Sequence, residues 1–322
     1  MVQPERKLIE RIRRMAGSVS NADLVLGIGD DCAILRVPSG FHLLVTTDFC
    51  IEDVHFRRAW HPASSVGHHC LARGLSDIAA MGGEPVACFL SLGLPRSLPQ
   101  PWLTGFLRGL MKLAREFRVP LAGGDTSSAE KIMADIVVVG KAPSGKALLR
   151  SGAQPGDGIF VTGELGGSAA TLQRLYNGEK IKAWGSDRHF YPQPRLEAGQ
   201  RLREKKLASA AIDLSDGLSV DLRHICEESR VTAIVESSTL PIAARASLQL
   251  ALHGGEDYEL LFTAPRSARI PAAIAGVPVT RIGEIQGRSG KKSSSARVIQ
   301  IRDAAGRLRP LEPAGWEHFR KI

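Results

Sequence analysis

Aspartate recurs at the ends of short apolar runs throughout this chain, and that recurrence limits its possible folds more than any other feature. The segments are GIGDDCA (27–33), TTDFCIEDVHF (46–56), LSDIAAMGGEP (75–85), AGGDTSS (122–128), DLSDGLSVDL (213–222) and GGEDYELLF (254–262). Aspartate is a poor strand and helix-interior residue and is seldom buried unless paired. A single Asp at a strand end usually caps a helix or shapes a turn. Repeated at Asp30, Asp31, Asp48, Asp77, Asp125, Asp213 and Asp216, it raises a second possibility, a convergent acidic cluster. Two like charges ~4 Å apart cost about 4 kcal/mol at an effective dielectric of ~20. Such a cluster therefore requires cations, and oxygen ligands select hard ions such as magnesium, which commonly sits between carboxylates and substrate phosphates.

The segments between these motifs alternate in type. Strands are expected at 41–47, 86–94, 131–141, 159–162, 211–214 and 259–264, and helices at 63–80, 102–117, 167–176, 194–206 and 218–228. Residues 277–302 read as two strands joined by the Gly/Ser-rich GRSGKKSSS stretch, which carries the basic run Arg288–Lys292. Leu8, Ile9, Ile12 and Met15 fall on one face of an amphipathic N-terminal helix. The alternation predicts an α/β or α+β protein. Gly, Pro and Ser enrichment at 142–158 places a domain boundary there, dividing the chain into 1–145 and 146–322.

Composition excludes several classes. With 322 residues, 43% hydrophobic and 23% charged, the chain is an ordinary globular protein, and no apolar run approaches the ~18 residues of a membrane span. The charged N-terminus does not read as a signal peptide. Five scattered cysteines, with no CxxC pair, suggest free thiols in a reducing cytoplasm. The net charge of +9 is spread along the chain without a nucleic-acid-binding motif, so no nucleic-acid partner is expected. That charge is compatible with either a solvated surface or attraction of a polyphosphate. Gly123-Gly124 before Asp125 permits close approach of backbone to a ligand. There is no GxxxxGK[ST], and no GxGxxG opens a helix after a first strand, so P-loop, Rossmann and protein-kinase readings fail.

The ordered set GDDxA, TTD…VHF, LSDIAAMG, GGDT, DxSDGL and GGEDYELLF, with the terminal GWEHF (315–319), resembles the thiamine-monophosphate kinase family of the aminoimidazole ribonucleotide synthetase superfamily. SDIAAMG or GGDT alone would indicate only the superfamily. Two departures are Asp53, where the family usually has glycine, and Cys32, where alanine is usual. The resemblance implies a two-domain synthetase-like fold. Its N-terminal domain would bind ATP and magnesium and form a homodimer through a shared β-barrel, and its C-terminal domain would close the active site. It implies transfer of the γ-phosphoryl group of ATP to thiamine monophosphate, giving thiamine diphosphate, in the cytoplasm. Carried over residue by residue, it assigns Asp30, Thr46, Thr47, Asp48, Asp77, Asp125, Asp213 and Asp216 to magnesium or magnesium-ATP. It assigns Gly124, Asp125, Arg150 and Ser215 to ATP, and His55, Glu256 and Trp316 to the thiamine phosphate. Charge stabilisation falls to Asp48, Asp213 and Arg150, with no essential general base. On the residues alone, Arg150 is equally a surface arginine, His55 a core histidine, Ser215 a helix cap and Trp316 a packed tail residue. Other superfamily enzymes share the ATP site, but hydrogenase-maturation relatives end in a cysteine, whereas this chain ends PAGWEHFRKI.

Overall fold

Strand residues alternate between two faces, and here the alternation decides which carboxylates are covered. The computed structural model describes residues 5–28, 32–183, 187–288 and 298–315. Two compact units emerge: residues 1–78, 83–145 and 180–193 form the first, and 79–82, 146–179 and 194–322 the second. Neither is contiguous in sequence.

The first unit begins with α1 (Glu5–Ala16), β1 (Leu24–Leu26) and β2 (Ile34–Leu35). Then follow β3 (Phe41–Ile51), α2 (Ala63–Ala80), β4 (Glu84–Leu94), α3 (Gln100–Glu116), β5 (Leu121–Ser128) and β6 (Met133–Pro143). β3, β6, β4 and β5 form a mixed sheet in that order, with only β4 and β5 parallel. Along β3, Leu44 and Cys50 are buried and Thr46 and Asp48 half-buried, whereas Val45, Thr47 and Phe49 are exposed. Two glycines on α2 set its depth. A Cβ on Gly67 would lie 1.9 Å from the Phe106 carbonyl oxygen of α3, and one on Gly74 would lie 2.6 Å from Val138 Cγ2 of β6. Their bare backbones allow the close crossings that bring the end of α2 down onto the sheet.

The second unit contains β7 (Gly158–Thr162), α4 (Gly167–Tyr176), α5 (Leu196–Glu204), β8 (Ala210–Asp213), α6 (Leu218–Ser229) and β9 (Thr232–Glu236). It continues with α7 (Leu248–His253), β10 (Leu260–Ala264), β11 (Ala273–Ile274), β12 (Val277–Gln286), β13 (Ile299–Arg302) and β14 (Leu308–Pro310). Its sheet runs β14-β13-β9-β12-β7-β10-β8, with β11 attached to β12. Among its described strands, β13 and β9 alone pair in parallel. The core joins Ile159, Val161, Leu261 and Ile282 of the sheet to Leu222 and Ile225 of α6. The expected mixed α/β architecture is present, but among the described residues neither sheet closes into a barrel. Short elements without clear periodicity, β1, β2, β9, α7 and β14, were not expected from the sequence, and Asp125 lies inside a strand rather than at an element end. No described helix is long and apolar enough to cross a membrane.

Candidate active site

In the first unit, β3 and α2 bring together Thr46, Asp48 and Asp77. The Thr46 hydroxyl donates to Asp77 Oδ2. Arg73, one turn before Asp77, places Nε 3.6 Å from Asp48 Oδ1. Burial, then the neighbouring Asp77 charge, raises the Asp48 carboxyl to about 7, against the opposing pull of Arg73. Here negative charge exceeds its internal compensation. Two carboxylates and a hydroxyl suit magnesium, which commonly takes one or two protein carboxylates and completes its shell with water and phosphate oxygens. Among the described residues no group of three or more His, Cys, Asp and Glu forms a ready metal cage.

Thr47 and Asp125 lie on the other sheet face. Thr47 is exposed and donates to Asp135 Oδ1 at 2.7 Å. Asp135 pairs in register with Ser91, and Ser91 with Asp125, so the three occupy one cross-strand row. Asp125 is exposed and accepts the Thr126 N–H at 2.8 Å. Gly124 has φ of 149°, and a Cβ there would meet the Leu90 carbonyl oxygen at 1.9 Å. Only glycine fits. The expected metal ligands therefore divide between the covered face (Thr46, Asp48, Asp77) and the open face (Thr47, Asp125). Asp30 lies outside the described residues.

His55 closes the turn after β3. Its Nδ1 accepts the Ile51 N–H at 3.0 Å, so the ring proton resides on Nε2. Asp53, where the resemblance leads one to expect glycine, adopts φ of 66°. The turn survives that departure: the Asp53 N–H donates to the Phe56 carbonyl at 2.8 Å, and Lys131 Nζ pairs with its carboxylate at 2.9 Å.

In the second unit the acidic group comes from one continuous segment. Asp213, buried, ends β8; Ser215 and Asp216 form the turn, and α6 follows Gly217. Asp221, buried in the first turn of α6, accepts the N–H groups of Asp216 at 3.2 Å and Gly217 at 3.0 Å. Its carboxyl is pushed well above the ordinary range by burial, then by Asp213 and Asp216, despite those backbone bonds. The GGEDYE segment pins the turn from outside. Leu214 N–H donates to the Glu259 carbonyl at 2.8 Å, Tyr258 N–H to that of Leu214 at 2.9 Å, and Glu256 N–H to that of Ser215 at 2.8 Å. Glu256 and Tyr258 take φ of 64° and 49°, left-handed values that are unfavourable for side-chain-bearing residues. Glu259 is itself fixed by Arg195 through bonds of 2.7 and 2.6 Å.

Arg150 is exposed, but its segment runs along β8, because Ala211 N–H donates to the Leu149 carbonyl at 2.9 Å. At the other end, a Cβ on Gly315 would meet the Asp216 carbonyl oxygen at 2.1 Å, so the described chain finishes against the acidic turn. Trp316 lies outside the described residues, as does most of the basic 288–292 run. Sequence reading missed Arg73, Asp135 and Asp221. Signals existed for each: Arg73 precedes Asp77 by four on a helix, Asp135 interrupts an apolar strand, and Asp221 lies in the DLSDGLSVDL motif.

Comparison with known proteins covers both units. Residues 29–142 match the family described as AIR synthase related protein, N-terminal domain, and residues 154–294 match its C-terminal domain. The thiamine-monophosphate kinase of Escherichia coli (strain K12) is 40% identical over 317 residues, spanning 93% of this chain and 94% of the relative. The crystal structure of thiamine-monophosphate kinase from Stenotrophomonas maltophilia K279a superimposes with a TM-score of 0.80 at 35% identity, covering 94% of this chain and 97% of that one. AaThiL complexed with AMPPCP and TMP gives a TM-score of 0.77 at 29% identity, with 99% of each chain covered. Similarity on this scale, over nearly the whole of both chains, places the protein in a family: it belongs to the thiamine-monophosphate kinases.

Proposed function

We infer that this chain is an ATP-dependent kinase that transfers the γ-phosphoryl group of ATP to the phosphate of thiamine monophosphate, yielding thiamine diphosphate and ADP. The observation that carries the reading is near full-length similarity to thiamine-monophosphate kinases, including a relative complexed with AMPPCP, an ATP analogue, and TMP. The acid pair Asp48–Asp77 supports the reading, because a bound cation would relieve the burial and mutual repulsion that raise the Asp48 carboxyl to about 7.

Magnesium, when bound, neutralises phosphate charge and aligns the reacting oxygens. Asp48, Asp77 and Thr46 would hold it in the first unit, and Asp213 and Asp216 in the second. Thr47, Asp125 and Asp30 join the proposed set through the family resemblance. Gly124, Asp125, Arg150 and Ser215 would bind ATP; Gly124 contributes backbone with no side chain in the way. His55, Glu256 and Trp316 would bind the acceptor, with His55 offering an Nε2–H donor to phosphate oxygen.

The acceptor needs no general base. The second pKa of a phosphate monoester is about 6, so near pH 7 most of it is a dianion ready to attack. Repulsion between two polyanions is the obstacle, and positioning with charge neutralisation overcomes it. Transfer is then direct and in line, with no phospho-enzyme. A His55→Asn variant should keep the shape of the profile of turnover against pH; loss of an enzyme pKa near neutrality, with acceptor binding intact, would identify His55 as a base.

The expected dimer has support in Leu43, Val45 and Phe49, an apolar row left 43%, 66% and 54% exposed on the open face of β3. A shared barrel with a second copy would cover it. The direct test of the function is incubation of purified protein with ATP, magnesium and thiamine monophosphate, followed by chromatography. Thiamine diphosphate and ADP should appear in equal amounts, and ADP without thiamine diphosphate would contradict the reading.

A further inference from the structure

Arg73 and Asp77 are four residues apart on α2, so both side chains leave the same helix face. The close approach at Gly74, 2.6 Å from its built Cβ to Val138 Cγ2 of β6 and 3.6 Å to Thr46 Cγ2 of β3, sets this stretch of the helix against β6 and β3. The Arg73 side chain is 15% exposed and Asp48 25%, which leaves their 3.6 Å contact largely out of solvent. A guanidinium is charged at every accessible pH and cannot relieve the contact by losing a proton. The other titratable groups around it include Asp77, His69 and the buried Cys70 of α2. His69 is buried, and burial followed by the Arg73 charge favours its neutral form. Arg73 is thus a fixed positive charge beside a carboxylate that a metal ion would use.

We propose that Arg73 is a built-in counter-ion of the acid pair, competing with a divalent cation for Asp48 and keeping metal affinity low until nucleotide phosphates complete the site. The inference rests on the reading of Asp48 and Asp77 as metal ligands. One carboxylate cannot satisfy both cations fully, and the arriving ion meets repulsion from the resident one. Nucleotide phosphates reverse the balance by adding acceptors for the ion and for the guanidinium, whose donors suit phosphate oxygens. In consequence the metal enters with the nucleotide rather than before it.

The test is calorimetric titration of magnesium chloride into the full chain near pH 8 without nucleotide, comparing wild type, Arg73→Met, Arg73→Lys and Asp48→Asn. Thermal melts establish that each variant is folded. Arg73→Met should bind magnesium about tenfold tighter than wild type, as expected for removal of one like charge beside the ion. Arg73→Lys, which keeps the charge, should stay close to wild type even if the Met variant fails to fold. Asp48→Asn should weaken binding. Weaker or unchanged binding in Arg73→Met, or tighter binding in Arg73→Lys, overturns the counter-ion role and leaves the metal site standing. Unchanged binding in Asp48→Asn instead removes the metal site on which the inference rests.

Discussion

The first unit draws its acid pair from a strand and a helix distant in sequence, whereas the second takes its acidic group from one strand–turn–helix segment. Compensation differs accordingly. Asp48 and Asp77 are offset by other side chains, Arg73 and Thr46. Asp221 is offset by backbone N–H groups of its own turn, which is pinned in turn by the GGEDYE segment. A carboxylate held by side chains rather than by its own backbone turn can exchange partners for a metal ion. One that holds a helix start cannot be removed without loosening the helix. The two regions should therefore respond oppositely to neutralisation of their aspartates.

The largest expected effect is on catalysis. Asp48→Asn and Asp213→Asn should each cut turnover by about a hundredfold or more, the scale of losing a key electrostatic stabiliser. Initial rates at saturating ATP, magnesium and thiamine monophosphate measure it; near-normal turnover in either variant would remove that aspartate from the proposed site.

Stability should separate them. The Asp48 carboxyl, raised to about 7 from 3.8, retains in the folded protein a proton that the unfolded chain releases. Its contribution is therefore greatest at low pH and is lost as pH rises through 7. Near pH 8 and without metal, Asp48→Asn should stabilise the protein by about 2 kcal/mol, allowing for partial exposure. Asp221→Ala deletes two bonds at the start of α6 and should destabilise by about 1–2 kcal/mol even though it removes an unfavourable charge. Denaturant unfolding of both variants under the same conditions decides the matter, and the same sign for both would erase the distinction.

A smaller effect concerns acid. Burial lowers the pKa of both His68 and His69, so each contributes stability above the unfolded value of 6.5 that is lost as pH falls toward its folded value. In wild type the Asp48 carboxyl opposes this trend. Asp48→Asn should expose it as a melting temperature that declines from pH 7 to 5 more steeply than in wild type. Smallest in rate is the acceptor side: His55→Ala and Trp316→Ala should raise the KM for thiamine monophosphate by about tenfold, the loss of one good contact, with ATP binding little changed. Equal loss of ATP binding would move both residues into the nucleotide site.

The second unit's acidic turn was legible because its signals are local. DLSDGL places Asp213 at a strand end, Gly217 at a helix entry and Asp216 between them, and the chain adopts that arrangement. The first unit's site was legible in its residue types but not in its grouping. Which face a strand residue occupies depends on register with other strands, so Thr46 and Asp48 separated from Thr47 and Asp125 only once β3, β6, β4 and β5 were aligned. Arg73 was overlooked for a related reason. An arginine on a helix is ordinarily a solvated residue, and only the depth of α2, set by contacts at Gly67 and Gly74, turns it toward Asp48. Short strands such as β1, β2 and β14 carry too few residues for a periodic signal.

The measurement that bears most directly on the account is product formation as a function of free magnesium, with ATP and thiamine monophosphate saturating and products resolved by chromatography. The account predicts thiamine diphosphate and ADP in equal amounts, rising from no detectable turnover in excess EDTA to a plateau with magnesium. Full turnover in excess EDTA, or no thiamine diphosphate at any magnesium concentration, would contradict it.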